Sequence, residues 1–395
     1  MTYAEKKERE IETYKDITNV HELPKAFHYY VSNYLYNKLE QSIGVSSFEE
    51  LVIKYLNLLK LEKDETSIFI LSLGSGNCDF ETKLAQQYGL KCKFYCYDIN
   101  PHALERGRQL AGEKELINFK FVLCDINKIE IHQNFDLVLA NHSLHHLVDL
   151  EHIFSEVDKC MTEKSYFIIN DMIGRNGHMF WDNTLHVCNA IWNMFPRELK
   201  YNHQFKCYYK NLIQFDCSAE GFEGIRAQDI LPLLDKTFQF VDFAPFFAIA
   251  GHLIGREYGH NFDINNDFHK ALLNMIGSYD NFLLENKLLK PTQLIAVMTK
   301  MNKEKNNTQP YKYLYFDVPK EIYMQDDKKI WDYLDKKSLK RHIHKRRICR
   351  IAQSLKKLLF PPGSKRHRIA KWLFRLLFYS YKNKILVFHI FNNRM

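Results

Sequence analysis

Short apolar runs alternate with longer stretches of mixed polarity between positions 67 and 171. Each run has the length of one buried strand, and the intervening stretches have room for one helix or one loop. This alternation predicts a parallel sheet whose strands are joined by right-handed crossover helices. The five predicted strands are 67–74, 93–99, 118–126, 135–141 and 165–171.

The chain beyond Asp171 predicts a lid insertion and a closing part of the same sheet. Residues 172–224 are polar, aromatic and rich in histidine, which interrupts the alternation where a lid fits. A helix is predicted at 226–236, followed by two strands at 238–250 and 293–300. The expected fold is therefore a doubly wound α/β domain over residues 65–300, with a mostly parallel, seven-stranded sheet.

The segments on either side of this domain differ from it and from each other. Residues 1–64 show apolar positions at helical spacing, and no catalytic or binding motif is visible there. Residues 301–395 contain 24 Lys and Arg against 7 Asp and Glu, whereas the remainder of the chain contains 31 against 40. Opposite charges predict different partners for the two parts.

The basic extension contains two amphipathic patterns separated by Pro361-Pro362-Gly363. From Lys336 onward there are 18 basic residues and no acidic one. Apolar residues recur at helical spacing among the basic ones, which is typical of helices that lie on an anionic membrane surface. We expect residues 336–395 to contact such a surface. Binding to nucleic acid and packing on the acidic body of the protein remain alternatives.

The amino-acid composition of the chain is that of a globular protein. The chain is 46% hydrophobic and 26% charged, values typical of globular proteins rather than disordered or multispanning ones. The charged amino terminus lacks the apolar core of a secretory signal, so a cytoplasmic location is expected, with peripheral association at the inner membrane face through the extension. The nine cysteines are scattered, and Cys92 and Cys96 lack a second ligand pair, so no metal site is predicted.

A cofactor site is predicted at the ends of the first three strands. Gly74, Ser75 and Gly76 follow the first strand, where the backbone must turn and approach a ligand. Asp98 ends the second strand, 22 positions after Gly76, and Asp125 ends the third. These carboxylates suit ribose hydroxyls and an adenine amine, or alternatively they cap helices. A dinucleotide fingerprint would require a third glycine where Asp79 stands.

These segments resemble a known family. LSLGSGN, YCYDIN, LCDINKI and FDLVLANHSLHHL are similar in order and spacing to the motifs of class I S-adenosylmethionine methyltransferases. The resemblance implies S-adenosylmethionine as cofactor. Ser72 and Cys78 depart from the family, which often has an acid and a glycine at these positions. By the resemblance, the cofactor-binding residues are Gly74, Ser75, Gly76, Asp98, Ile99, Asp125, Ile126, Asn141 and His142.

The chemistry of methyl transfer directs attention to two histidines that follow the fourth predicted strand in the sequence. His145 and His146 are predicted as candidates for the base that removes an acceptor proton, and capping or packing roles are the alternative. DCSAEGFEGIRAQDILPLL and REYGHNFD look like segments of bacterial methyltransferases of surface-polysaccharide type, which implies a glycan or other hydroxyl acceptor. The alternatives are a nucleic-acid methyltransferase and a non-catalytic cofactor-binding scaffold.

Overall fold

A seven-stranded sheet forms the centre of the protein. The computed structural model describes residues 2–16, 23–63 and 67–301. The strand order is β3-β2-β1-β4-β5-β9-β8, in which β1 to β5 are parallel and β9 is antiparallel to both β5 and β8. The strands of this sheet are β1 (Ile68–Leu73), β2 (Cys92–Asp98), β3 (Phe119–Leu123), β4 (Phe135–Asn141), β5 (Met161–Met172), β8 (Phe238–Phe246) and β9 (Gln293–Lys300), with β6 and β7 forming a separate hairpin (Tyr201–Asn202 and Cys207–Tyr208).

This architecture confirms the predicted fold, a doubly wound, mostly parallel sheet of seven strands. Side chains alternate along the strands between two buried cores. Ile70, Leu137 and Ile168 face one core, and Leu71, Val138 and Ile169 face the other. Apolar runs of this kind form strands because both faces of a parallel sheet are covered by helices.

Three strand boundaries differ from the prediction by three residues or more, and one of them is the start of β5 at Met161 rather than at 165. β3 ends at Leu123 rather than at 126, because Asp125 begins a short 3-10 helix. β8 ends at Phe246 rather than at 250. The backbone N–H groups of residues 248–250 donate to the carboxylate of Asp280 at 2.6–2.9 Å instead of joining the sheet. The apolar run is therefore continuous in sequence but not in structure.

Eleven α-helices are present in the described part of the chain. Those within residues 25–63 pack into the same core as β1 and β2, with Tyr30, Leu51 and Leu56 fully buried there. The helices are α1 (Tyr3–Thr13), α2 (Lys25–Tyr30), α3 (Tyr36–Ile43), α4 (Phe48–Lys63), α5 (Asp79–Tyr88), α6 (Pro101–Glu113), α7 (Leu150–Cys160), α8 (Asp182–Met194), α9 (Ala227–Thr237), α10 (Ala250–Ile254) and α11 (Asp267–Glu285). The predicted helix at 226–236 is confirmed as α9.

The lid insertion (residues 172–224) contains α8, the β6–β7 hairpin and several short 3-10 turns. Within residues 2–16, 23–63 and 67–301, no helix has the length and apolar character required to cross a bilayer. The basic extension, including the predicted surface-binding residues 336–395, lies outside the described residues.

Candidate active site

The turn after β1 depends on Gly74. Its φ is +70°, and a Cβ atom there would lie 2.5 Å from Cβ of Ser143. Ser143 is fixed in this position because its Oγ donates to the carbonyl of Leu73 at 2.7 Å. The backbone of Gly74 therefore packs directly against the loop that follows β4, and a side chain has no space.

Asp98 joins the end of β2 to this turn. Its Oδ2 accepts a hydrogen bond from the backbone N–H of Gly76 at 2.8 Å, and its Oδ1 accepts one from Asn100 at 2.7 Å. An ionised carboxylate has about four acceptor positions, so these backbone donors leave acceptor capacity for a ribose hydroxyl. Burial raises the pKa of Asp98, although these backbone hydrogen bonds oppose the shift.

Of the next three predicted cofactor residues, two isoleucines line the cavity and Asp125 does not. Ile99 and Ile126 line the same cavity as Gly74, Ser75 and Gly76. Asp125 instead caps the 3-10 helix through the N–H of Asn127 and lies 3.6 Å from Nζ of Lys7. Its capping role is therefore present in the structure, and its contact with adenine stays a prediction.

Asn141 and His142 meet Asn170 at the ends of β4 and β5. The amide nitrogen of Asn170 lies 3.0 Å from Oδ1 of Asn141, to which it donates, and 3.1 Å from Nε2 of His142. All three residues line the cavity. The buried Oδ1 of Asn170 has no hydrogen-bond partner within the described residues, as expected for an atom that faces a ligand.

Glu81, on the first turns of α5, was not recognised from the sequence. It is only 4% exposed, it lines the cavity, and its Oε1 accepts a hydrogen bond from Oγ of Ser72 at 2.5 Å. Burial raises the pKa of Glu81 to about 7. Ser72 occupies the position at which the family often has an acid, so Glu81 brings a carboxylate to the place where the motif lacks one.

A histidine cluster lies beside the cofactor turn, at the carboxyl edge of the sheet. We define the cluster as His145, His146 and His178 with the carboxylates of Asp171 and Glu223. Nδ1 of His145 lies 2.6 Å from Asp171, and its Nε2 lies 3.5 Å from Glu223. Nε2 of His178 lies 2.8 Å from Glu223, and Nε2 of His146 lies 3.5 Å from it. Three imidazoles therefore surround one carboxylate.

Electrostatic coupling within the histidine cluster is strong. Burial favours the neutral form of His145, but Asp171 and Glu223 outweigh it and raise the pKa of this imidazole to about 10. Burial lowers the pKa of His178, which Glu223 partly offsets. Burial would raise the pKa of Glu223, yet hydrogen bonds from His145 and His178 hold it far below its usual range. The carboxylate is therefore ionised.

Helix α1 contributes two residues to the cavity, although no motif in residues 1–64 pointed to this. Oε1 of Glu10 lies 2.7 Å from Nδ1 of His146, and the hydroxyl of Tyr14 donates to Glu223 at 3.2 Å. Lys6, only 2% exposed, donates to the carbonyls of Ser218 and Gly221. The first helix thus covers the site and is attached to the lid insertion.

One cavity of about 1060 Å³ contains both the turn after β1 and the histidine cluster. It is lined by the turn at 74–77, by Asp98 and by the histidines of the cluster, and on the far side by lid residues such as Asn202 and Tyr209. The structure therefore places predicted cofactor residues and the two predicted histidine bases around a common space, without testing the role of any single residue.

Comparison with known proteins identifies the domain. Residues 64–213 match the family model of a methyltransferase domain. This part of the chain is a methyltransferase domain, and the sheet has the class I S-adenosylmethionine-dependent methyltransferase fold. The protein is an enzyme of this class, and S-adenosylmethionine is its cofactor. The structure fits that cofactor, since Asp98 retains acceptor capacity for the ribose and the cavity-lining Asn170 has a buried Oδ1 without a partner within the described residues.

The methyltransferase is similar to several characterised proteins. Over 262 residues it is 22% identical to malonyl-[acyl-carrier protein] O-methyltransferase of Acetivibrio thermocellus, a match that covers 64% of this chain and 86% of the relative.

Several solved structures are similar to this chain, including the following three. An S-adenosylmethionine-dependent methyltransferase from Clostridium acetobutylicum is 16% identical, with 37% of this chain and 63% of that one covered at a TM-score of 0.28. The PH0226 protein of Pyrococcus horikoshii is 14% identical, with 67% and 96% covered and a TM-score of 0.33. An O-methyltransferase from a Brevibacillus brevis multienzyme, in complex with S-adenosyl-L-homocysteine, is 12% identical, with 64% and 74% covered and a TM-score of 0.35.

Proposed function

We propose that this methyltransferase acts on a hydroxyl oxygen of a glycan or a similar polar small molecule. The observation that carries the proposal is the histidine cluster, which lines the same cavity as the turn at Gly74–Gly76. Methylation of an oxygen releases a proton, so imidazoles next to the cofactor turn are suited to this acceptor class.

The proton-accepting role is assigned to His146 rather than to His145. When bound, S-adenosylmethionine supplies a methyl group that is already activated by its sulfonium, and the protein must align the acceptor and remove its proton. His145 is 3% exposed and held between Asp171 and Glu223, whereas His146 is 20% exposed. Glu10 contacts Nδ1 of His146 at 2.7 Å, and Nε2 lies on the side of Glu223, where it can receive the proton.

The acceptor half of the cavity supports a polar ring as substrate. Gln204, Phe205, Tyr209 and Phe215 line the cavity, so that an amide group and aromatic rings are both present in it. Aromatic faces stack on the apolar face of a ring, and amides bind its hydroxyls. Of the lid residues Trp181, Trp192, Tyr201 and His203, which also suit such a ring, none lines this cavity.

The curated relative is consistent with transfer to oxygen, because its name describes an O-methyltransferase. Nucleic acid is the competing acceptor. Asn141-His142-Ser143-Leu144 stands where enzymes that methylate base amino groups typically have an Asn/Asp-Pro-Pro-aromatic element, and this difference favours an oxygen acceptor.

Transfer of a labelled methyl group into a fractionated lysate tests the proposal. We expect label in a glycan or small-molecule fraction that resists nuclease, and a loss of at least ~100-fold in kcat for His146→Gln. His132→Gln is the matched control, because His132 is 82% exposed and lies outside the cavity. Label that is confined to a nuclease-sensitive fraction contradicts the glycan acceptor.

A further inference from the structure

The histidine cluster has the geometry of a metal site. Oε1 of Glu223 lies 2.8 Å from Nε2 of His178 and 3.5 Å from Nε2 of His145, and all three atoms lie within 4.8 Å of one another. Two ligand atoms ~2.1 Å from a shared ion lie roughly 3.0–3.4 Å apart at angles of about 90–110°. The two separations from Glu223 thus need little adjustment to hold an ion.

The hydrogen bonds behind the ligands support the same interpretation. Asp171 accepts the N–H groups of Ser143 and Leu144, so it is a carboxylate and accepts the Nδ1 proton of His145 at 2.6 Å. Oε1 of Glu10 lies 2.7 Å from Nδ1 of His146, but this contact lacks the alignment of a hydrogen bond. A carboxylate on one ring nitrogen fixes the tautomer and directs the other nitrogen towards a metal, and this arrangement is common in histidine-bound metal sites.

The Nε2 atoms of two imidazoles converge on one carboxylate oxygen. With Nδ1 donating to Asp171, Nε2 of His145 is the ring nitrogen that points to Glu223, at 3.5 Å. A metal ion that displaces the proton of this nitrogen would occupy the place between the ring and the carboxylate. A second imidazole, His178, directs Nε2 at the same oxygen, so one ion would satisfy both contacts.

We propose that His145, His178 and Glu223 bind one divalent transition-metal ion such as zinc. His146, 3.5 Å from the other oxygen of Glu223, lies next to that ion. Two imidazoles and one carboxylate leave an open coordination position, as in catalytic zinc sites, and that position faces the cavity. The ion would bind the acceptor hydroxyl there and favour its loss of a proton to His146. This role rests on the proposed function, whereas binding of the ion does not.

The test is zinc binding by the full-length chain after treatment with a chelator. Calorimetry is expected to give one tight equivalent for the wild-type protein. His178→Gln and Glu223→Gln should each weaken binding at least ~10-fold, and His132→Gln should leave it unchanged. A wild-type protein that binds zinc no better than His178→Gln/Glu223→Gln would overturn the site.

A second measurement needs no variant. X-ray absorption at the zinc edge should show imidazole nitrogen and oxygen neighbours at ~2.0–2.2 Å. Sulfur neighbours, or the absence of imidazole scattering, would overturn the assignment. Calorimetry with S-adenosylmethionine on the same metal-free sample separates the two proposals. A protein that binds the cofactor but not zinc retains its methyltransferase assignment and refutes the metal site.

Discussion

Gly74 makes the strongest prediction at the scale of single residues. Gly74→Ala places a Cβ 2.5 Å from Ser143 and forces φ of +70° on a residue that disfavours it. We expect the free energy of unfolding to fall by ~1–3 kcal/mol and the affinity for S-adenosylmethionine to fall at least ~10-fold. Thermal unfolding and calorimetry measure the two effects.

The control for this substitution is Gly44→Ala. Gly44 has φ of +71° at the end of α3, but a Cβ there meets no atom within 4 Å. Its replacement adds backbone strain alone, so unfolding should shift while cofactor affinity does not. An equal loss of affinity in both variants would show that the contact with Ser143 is unimportant.

Glu81 predicts a dependence of cofactor affinity on pH. Burial raises its pKa to about 7, and Asp79 and Asp98 are the other charged groups that act on it. An ionised Glu81 attracts the ammonium group of the methionine moiety, whereas a protonated one does not. Affinity should therefore rise as pH increases through this pKa, by up to ~10-fold per pH unit below it. Calorimetry between pH 6 and 8 measures the change.

Glu81→Gln is the matched variant for this prediction. Glutamine keeps the size of the side chain and can still bond Ser72, but it does not ionise in this range. Weaker and pH-independent binding is expected. If the variant retains the affinity and the pH profile of the wild-type protein, Glu81 does not contact the cofactor.

The sequence allowed part of the site to be predicted at this scale. Gly74, Gly76 and Asp98 follow strand ends, and the sheet edge brings such positions together in any fold of this type. Glu81, His178 and Glu223 could not be found in this way. They come from a helix and from the lid insertion, where position depends on tertiary packing rather than on strand order.

Helix α1 is the element whose role differs most from the expectation. Buried Lys6 joins it to the lid insertion through two carbonyl oxygens, at 2.9 and 3.0 Å. Lys6→Met removes both bonds and leaves buried carbonyls without these donors, at a cost of ~1–3 kcal/mol to the attachment of the helix. We expect faster proteolysis within residues 1–16 and weaker cofactor binding.

Arg9→Ala is the control on the same helix. Arg9 pairs with Glu220 of the same loop, but both side chains are nearly half exposed, and such surface pairs contribute little. Proteolysis and affinity should stay close to those of the wild-type protein. If neither measurement separates the two variants, attachment of α1 to the lid does not govern access to the site.

Most strands of the sheet could be predicted from the sequence more closely than the helices and loops, and the reason is physical. A buried strand of a parallel sheet reads as a continuous apolar run, so β1, β2 and β4 were located within one residue at each end. The predicted end of β8 was wrong because backbone N–H groups after this strand donate to the carboxylate of Asp280 instead of to a neighbouring strand. Asp280 lies 30 residues from Ala250, one of these donors, in the chain. Contacts over such distances leave no local pattern.

At the scale of the whole molecule, the uneven charge of the chain makes a further prediction. We propose that residues 336–395 hold the methyltransferase on anionic membranes. Each basic residue near such a surface contributes ~1 kcal/mol, so Lys356→Glu/Lys357→Glu should reduce binding to anionic liposomes at least ~10-fold. Sedimentation of the full chain with anionic and neutral liposomes measures this.

The control is Lys83→Glu/Lys164→Glu, which changes the net charge by the same amount outside the basic extension. Both lysines are well exposed on the described body, at 64% and 77% of their side chains. This variant should sediment like the wild-type protein. Equal losses in the two variants would assign the binding to overall charge, and retention of nucleic acid in place of liposomes would favour the alternative partner.

The attachment of α1 has a consequence for the order of events during folding. Its partners lie far along the chain, from Asn100, 89 positions after Ile11, to Gly221, 215 positions after Lys6. This helix is therefore among the last elements to reach its final place, because long-range contacts form late. We expect a folding intermediate whose sheet is complete while its nucleoside cleft is still open to water.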